Sequence, residues 1–265
     1  MNFAAIGDVR YYHTPQDDLA HVDHSTLQHA GESTLAMLRA LGNTDLKART
    51  GDAVFFDVLG LKIVYWPASW TIWIVAISAI VLVAGVRDVS ARSVAFGIGA
   101  FVASVVVAAV IGFIAVKLMP HRMQQPAAAL AAMWLAGVAA TLIATHFGER
   151  ASRPQSSGVP PDDRRTARGL YAGFAIVWLI VAGGLALTLP GVSFLFVVPA
   201  AVASIAIHWR GDIGLPSVLW LIPAGIVFFP LALMVYTALG ALGLLAAAVL
   251  LAIVTTTFAP AMVRK

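Results

Sequence analysis

Tyr11-Tyr12-His13-Thr14-Pro15-Gln16-Asp17-Asp18-Leu19-Ala20-His21-Val22-Asp23 gathers an aromatic-flanked imidazole, a proline and three carboxylates into one polar loop. A neutral imidazole is a good zinc donor at about 2.0–2.1 Å, and its second nitrogen needs an acceptor that fixes the tautomer. A loop with this inventory is suited to holding a metal ion. Nothing after Trp66 has comparable chemistry.

The elements around the loop would position it. Asn2-Phe3-Ala4-Ala5-Ile6 reads as a short buried strand ended by Gly7-Asp8. Ser25 with Gln28 three residues on has the spacing of a capping box, in which side chain and backbone satisfy each other's orphan donors. It opens a helix to about Leu41, with Leu27, Gly31, Thr34, Leu35, Leu38 and Leu41 along one face and Gly42-Asn43 as its stop. His21, Asp23 and His24 read as exposed groups at the helix entry, with structural work to do. The stretch Ala53 to Trp66, rich in β-branched and aromatic residues, reads either as a strand pair about Leu59-Gly60 or as an interfacial lead-in to the membrane. One strand and one helix bury too little apolar area to offset chain entropy alone.

The rest of the chain is of another kind. Sixty per cent of residues are apolar and 11% charged, against roughly a quarter charged in soluble domains, so the class is integral membrane protein. The absence of cysteine excludes disulfides and thiolate metal sites. The net charge of +4 lies mostly between apolar runs, with no basic stripe interleaved with aromatics, so nucleic acid is not an expected partner; the lipid bilayer is. A hydrocarbon core of about 30 Å needs roughly 20 apolar residues per helix. On that rule about seven spans are expected, at about 67–86, 93–117, 126–146, 169–188, 191–208, 215–237 and 240–259. The fourth and fifth should form a hairpin at Pro190-Gly191.

Arginines orient the bundle. Arg87, Arg92, Arg150, Arg153, Arg164, Arg165, Arg168, Arg210 and Arg264 fall on one side; Lys117 and Arg122 fall on the other. The positive-inside rule makes the arginine-rich side and the C-terminus cytoplasmic and the N-terminal segment external. Residues 148–168, rich in Pro, Ser and Arg, read as a flexible cytoplasmic connector, with contact to anionic lipid as the alternative.

Span centres lack Asp, Glu, Lys and Arg, which argues against an ion path. His146 and His208 fall at span ends. Trp66, Trp70, Trp73, Trp209 and Trp220 read as interfacial anchors. Pro199, Pro223 and Pro230 should kink packed helices, and Gly183-Gly184 with the alanine runs suit close helix packing.

Tyr12-His13-Thr14-Pro15-Gln16-Asp17, followed by Leu19, Val22-Asp23 and a helix bearing Leu27-Gln28, resembles the end of the catalytic domain in family-28 metallopeptidases, which are di-zinc aminopeptidases. Val54-Phe55-Phe56-Asp57 leading into many spans is similar to the membrane-bound, endoplasmic reticulum subgroup. The resemblance covers residues 1–66 closely and the spans in kind. It implies that His13 is a zinc ligand, that Asp17 orders the loop or the helix entry, and that Tyr12 borders the site. Asp18 stands where the family has a small hydroxyl residue. It also implies two zinc ions, a further histidine, carboxylate ligands and a general-base glutamate, none of which has a position here.

The expected fold is therefore mainly α: a polytopic helix bundle preceded by a small α/β remnant of a zinc-peptidase domain. The expected division is 1–50 peptidase fragment, 51–66 connector and 67–265 membrane domain. No signal peptide follows Met1, so the remaining peptidase segment is expected upstream, as a partner that completes the site for peptide substrates. The chain alone is expected to be inactive. The alternatives are a non-enzymatic multispanning scaffold with a relic motif, and a seven-span transporter or receptor.

Overall fold

Once water is excluded, an apolar chain must satisfy its own peptide groups, and a helix does so within one segment. A computed structural model describes residues 15–45, 51–118, 126–152, 163–240 and 243–263. After a single 3-10 turn at Leu19–His21 comes α1 (His24–Gly42), then the antiparallel hairpin β1 (Ala53–Val58) and β2 (Lys62–Pro67). Helices follow: α2 (Thr71–Gly85), α3 (Ala91–Leu118), α4 (Pro126–Ser152), α5 (Asp163–Thr188), α6 (Phe194–Ala206), α7 (Gly214–Leu239), α8 (Gly243–Thr256) and α9 (Ala259–Met262).

The aromatic stretch is the strand pair, with Phe55 opposite Tyr65 and Val58 opposite Lys62. Its turn has positive φ at both Leu59 and Gly60, the backbone of the turn that matches strand twist. The left-handed angle is cheap at Gly60; at Leu59 it is held by Leu61 N donating to Val58 O and Gly60 N donating to Asp57 Oδ1. Val54 is buried, and Phe56 stacks on Phe194 at 5.0 Å. The hairpin is thus seated on the turn between α5 and α6, where Pro190–Val192 makes the expected helical hairpin.

In the bundle, contacts α3–α4, α4–α8, α8–α7, α7–α6, α6–α5 and α5–α3 close a cycle, α3–α8 crosses it, and α2 lies on α5 and α6. One part of the core is aromatic: Trp178 touches Phe196, Trp220 and Phe228, with ring centroids 5.0–5.5 Å apart, and Tyr171 meets Trp220 at 4.9 Å. Trp220 is fully buried, so it is a core residue and not the interfacial anchor its position suggested. Trp70, Trp73 and Trp209 are exposed. The other part is small: Ala108, Ala136, Ala140, Ala248 and Ala252 bring α3, α4 and α8 together, close enough for Ser104 Oγ to donate across helices to Ala140 O at 3.0 Å.

Gly183-Gly184 is not a close helix crossing. A methyl on Gly183 would meet nothing nearer than 3.7 Å, and one on Gly184 nothing within 4 Å. Backbones instead converge where Gly97 of α3 faces Gly169 and Gly173 of α5. The Gly169-x-x-x-Gly173 spacing puts both on one face one turn apart, and is the sequence signal for such a crossing.

Each of the seven apolar segments falls on one of α2 to α8. Among the described residues four stretches, Ala68–Gly85, Ala91–Leu118, Arg164–Thr188 and Gly214–Leu239, are long and apolar enough to cross a membrane. Ala127–Ile143, Phe194–Ala206 and Gly243–Thr256 are shorter; the last two rise roughly 20 Å, less than the ~30 Å core. The sequence ranges were longer because they took in the turn residues that flank α6 and α8. The expected connector at 148–168 is also shorter, since α4 runs to Ser152 and α5 begins at Asp163.

Candidate functional site

Tyr12 and His13, the proposed ligand and its neighbour, lie outside the described residues, as does the strand read at Asn2–Ile6. Pro15 and Gln16 form a turn that leads to exposed Asp17. What the structure shows is how the following carboxylates are engaged. Asp18 Oδ1 accepts from Ala20 N at 3.0 Å and His21 N at 3.2 Å, capping the 3-10 turn, and lies 2.8 Å from His21 Nδ1. The His21 hydrogen bond holds the Asp18 carboxyl below its ordinary range.

Asp23 is the cap of α1. Its carboxylate accepts from Ser25 N at 3.2 Å and Thr26 N at 3.1 Å, and from both hydroxyls. The helix therefore starts one residue before Ser25, and the Ser25–Gln28 capping box does not form. Gln28 Nε2 donates to Glu32 Oε1 at 2.7 Å instead. An ionised carboxylate outcompetes a hydroxyl at this position because it accepts charge-assisted bonds and meets the positive end of the helix dipole.

The Ser25 hydroxyl, followed by the Thr26 hydroxyl, lowers the Asp23 pKa to about 2 from an ordinary 3.8. A depressed carboxyl adds stability that is fully present above the ordinary value and is lost as pH falls through the depressed one. The first turn of α1 is therefore expected to fray in acid between those two values. In Asp23→Ala it should be frayed at neutral pH already, with severalfold faster amide exchange at Ser25 and Thr26. Unchanged exchange in the variant would remove Asp23 as the cap.

Among the described residues no group of three or more His, Cys, Asp or Glu is placed to hold a metal ion. Those residues do not by themselves fit a zinc site, and no catalytic step follows from them. The leucine face of α1 is nonetheless informative. Leu27, Leu35, Leu38 and Leu41 are all exposed, Leu27 to 62%, beside a shallow groove formed with His24, Gln28, Gly31 and Glu32. The amphipathic helix read from the sequence is present with its apolar side uncovered by any described residue.

A second polar site escaped the sequence reading. Arg164, Arg165 and Arg168, assigned to the flexible connector, stand on the first turns of α5 and line a cavity with Asp88, Arg210 and Asp212. The available signal was the i, i+4 placement of Arg164 and Arg168 on a helix entering the membrane, which puts both on one face.

No family model and no solved structure matches the chain. Endoplasmic reticulum metallopeptidase 1 of Homo sapiens is 36% identical over 73 residues, 26% of this chain and 8% of that protein. The same protein of Rattus norvegicus and of Mus musculus matches to the same extent. The chain thus spans a small fraction of the length of the curated relatives it matches. Over those 73 residues the chain, whose long apolar helices mark it as a membrane protein, is similar to the endoplasmic reticulum metallopeptidases.

Proposed function

We propose that the chain is the membrane-anchored, C-terminal portion of a zinc aminopeptidase system. In this reading residues 1–50 complete a peptidase domain, 51–66 connect it to the membrane and 67–265 are the anchor, with seven crossings. The observation that carries the reading is the 36% identity over 73 residues to an endoplasmic reticulum metallopeptidase, in a chain whose Tyr12-His13-Thr14-Pro15-Gln16-Asp17 loop resembles the family's pattern. Two features of the structure support it. The exposed leucines of α1 offer an apolar face to the remainder of a peptidase domain. The arginines at 164, 165, 168 and 210 collect at one end of the bundle, while the hairpin sits at the other. With that arginine end cytoplasmic, the N-terminal segment and the C-terminus take opposite sides of the membrane, the N-terminal segment external.

His13 would contribute one zinc ligand, with Tyr12 beside it and Asp17 ordering the loop. The other ligands and the general base would come from a partner peptidase segment, and the substrate would be the N-terminal residue of a peptide. The test is zinc content and aminopeptidase turnover, measured on the chain alone and after co-expression with a peptidase segment carrying the remaining ligands. The chain alone is expected to be inactive. The assembled form should bind zinc and cleave an aminoacyl fluorogenic substrate, and His13→Ala should weaken metal binding by at least about tenfold. An assembled form in which His13→Ala changes neither zinc content nor turnover would leave the non-enzymatic scaffold as the correct reading.

A further inference from the structure

The cavity at the arginine end of the bundle has a volume of about 220 Å³. It is walled by Arg164, Arg165 and Arg168 of α5, Arg210 and Asp212 before α7, and Asp88 between α2 and α3. Among the described residues that line it, four guanidiniums stand against two carboxylates. The carboxylates also have structural partners: Asp88 Oδ1 lies 3.5 Å from Arg168 Nη2, and Asp212 Oδ1 accepts from Gly214 N at 3.0 Å. Arg168 is a buttress. Its Nη2 donates to Gly85 O at 2.8 Å, tying α5 to the C-terminus of α2, while its Nε is buried with no partner among the described residues.

The depth of the cavity matters as much as its charge. From Arg168 to Thr188, the end of α5, the helix rises roughly 30 Å, the thickness of a bilayer's hydrocarbon core. The cavity therefore lies at headgroup level, and exposed Trp209 next to Arg210 is placed to mark that interface. Guanidinium forks match phosphate oxygens bidentately.

We infer that this cavity binds the phosphate of an anionic lipid headgroup. A phosphate bearing no tethered cation is the required chemistry, so phosphatidylglycerol fits and the choline of phosphatidylcholine would be repelled. This inference is independent of the peptidase reading: it rests on the bundle alone.

The experiment is titration of the full chain, in neutral detergent, with dioctanoyl phosphatidylglycerol, dioctanoyl phosphatidylcholine and inorganic phosphate, following thermal stability and bound lipid by native mass spectrometry. Phosphatidylglycerol should bind saturably and raise the Tm, with phosphatidylcholine ineffective and the affinity falling as salt rises. Arg164→Gln/Arg210→Gln removes two exposed guanidiniums and should weaken binding roughly fivefold per arginine. Arg92→Gln, at the same end but outside the cavity, should leave it unchanged. If the double variant does not fold, Arg165→Gln decides with the same readout. Inorganic phosphate that displaces the lipid and reproduces the Tm rise would identify the free anion as the source for the same site; phosphate without effect would identify the lipid. Equal binding of the two lipids, or equal weakening by Arg92→Gln, overturns the proposal.

Discussion

Gly173→Ala is expected to push α3 and α5 apart and destabilise the bundle by about 1–3 kcal/mol, the range for inserting a methyl where neighbours cannot yield. The added Cβ would lie 2.6 Å from Ile98 N, 2.6 Å from Val94 O and 2.7 Å from the Gly97 carbonyl carbon. All three are backbone atoms of α3, so no side-chain rotation relieves the contact, and the helices must separate. Separation also draws apart the Phe101–Phe174 pair, 5.6 Å between ring centroids on the same two helices. Gly184→Ala is the matched control. Nothing lies within 4 Å of its Cβ, so it should be neutral or stabilising by up to about 1 kcal/mol, the ordinary helix preference of alanine over glycine. Reversible unfolding in mixed detergent micelles measures both. Equal effects of the two substitutions would show that the α3–α5 crossing accommodates an added methyl.

Trp178→Ala should have the larger effect, about 3–5 kcal/mol, as for other deletions of a fully buried aromatic ring. Trp178 belongs to α5 but touches Phe196 of α6 and Trp220 and Phe228 of α7, so its ring holds three helices in register. Between helices in lipid there is no water to expel, and association relies on such packing. The chemistry of the ring allows a sharper version of the test. Trp178 Nε1 and Trp220 Nε1 are buried without hydrogen-bond partners among the described residues. Trp178→Phe therefore forfeits no hydrogen bond, and its cost should be the residual cavity alone, about 1–2 kcal/mol. A phenylalanine variant as unstable as the alanine variant would mean that the indole N–H has a partner in the folded protein.

Both expectations concern the membrane part, whose elements were legible because lipid simplifies the rules. Any apolar run entering the bilayer must become a helix, so the seven apolar segments reappear as α2 to α8, broken at Pro190-Gly191 and at Gly240, where φ is positive. Which residues face which neighbour was not legible. A helix apolar on every side carries almost no amphipathic signal, and so Trp220 was read by its position near a span end when it is a core residue. The same blindness drew attention to Gly183-Gly184, adjacent in sequence, and away from Gly97, Gly169 and Gly173, which meet only in three dimensions.

The N-terminal segment shows the reverse. Its local pattern predicted α1 and its stop at Gly42-Asn43, and offered the hairpin at Leu59-Gly60 as one of two readings, because capping and turn chemistry are encoded within a few residues. The cap itself was misplaced by two residues: Ser25 and Asp23 both have suitable chemistry, and choosing between them requires the backbone path into the helix.

By itself, then, the sequence determined the membrane class, the order of helices and the His13 loop on which the resemblance to a peptidase family rests. Those are properties of runs and short motifs. Only the tertiary structure decided that the leucines of α1 remain uncovered, and that arginines from one helix and one loop share one cavity. The reason is physical: the covering of a face and the pooling of charge depend on distances between residues far apart in sequence, such as Asp88, Arg168 and Arg210, which the chain brings together only by folding.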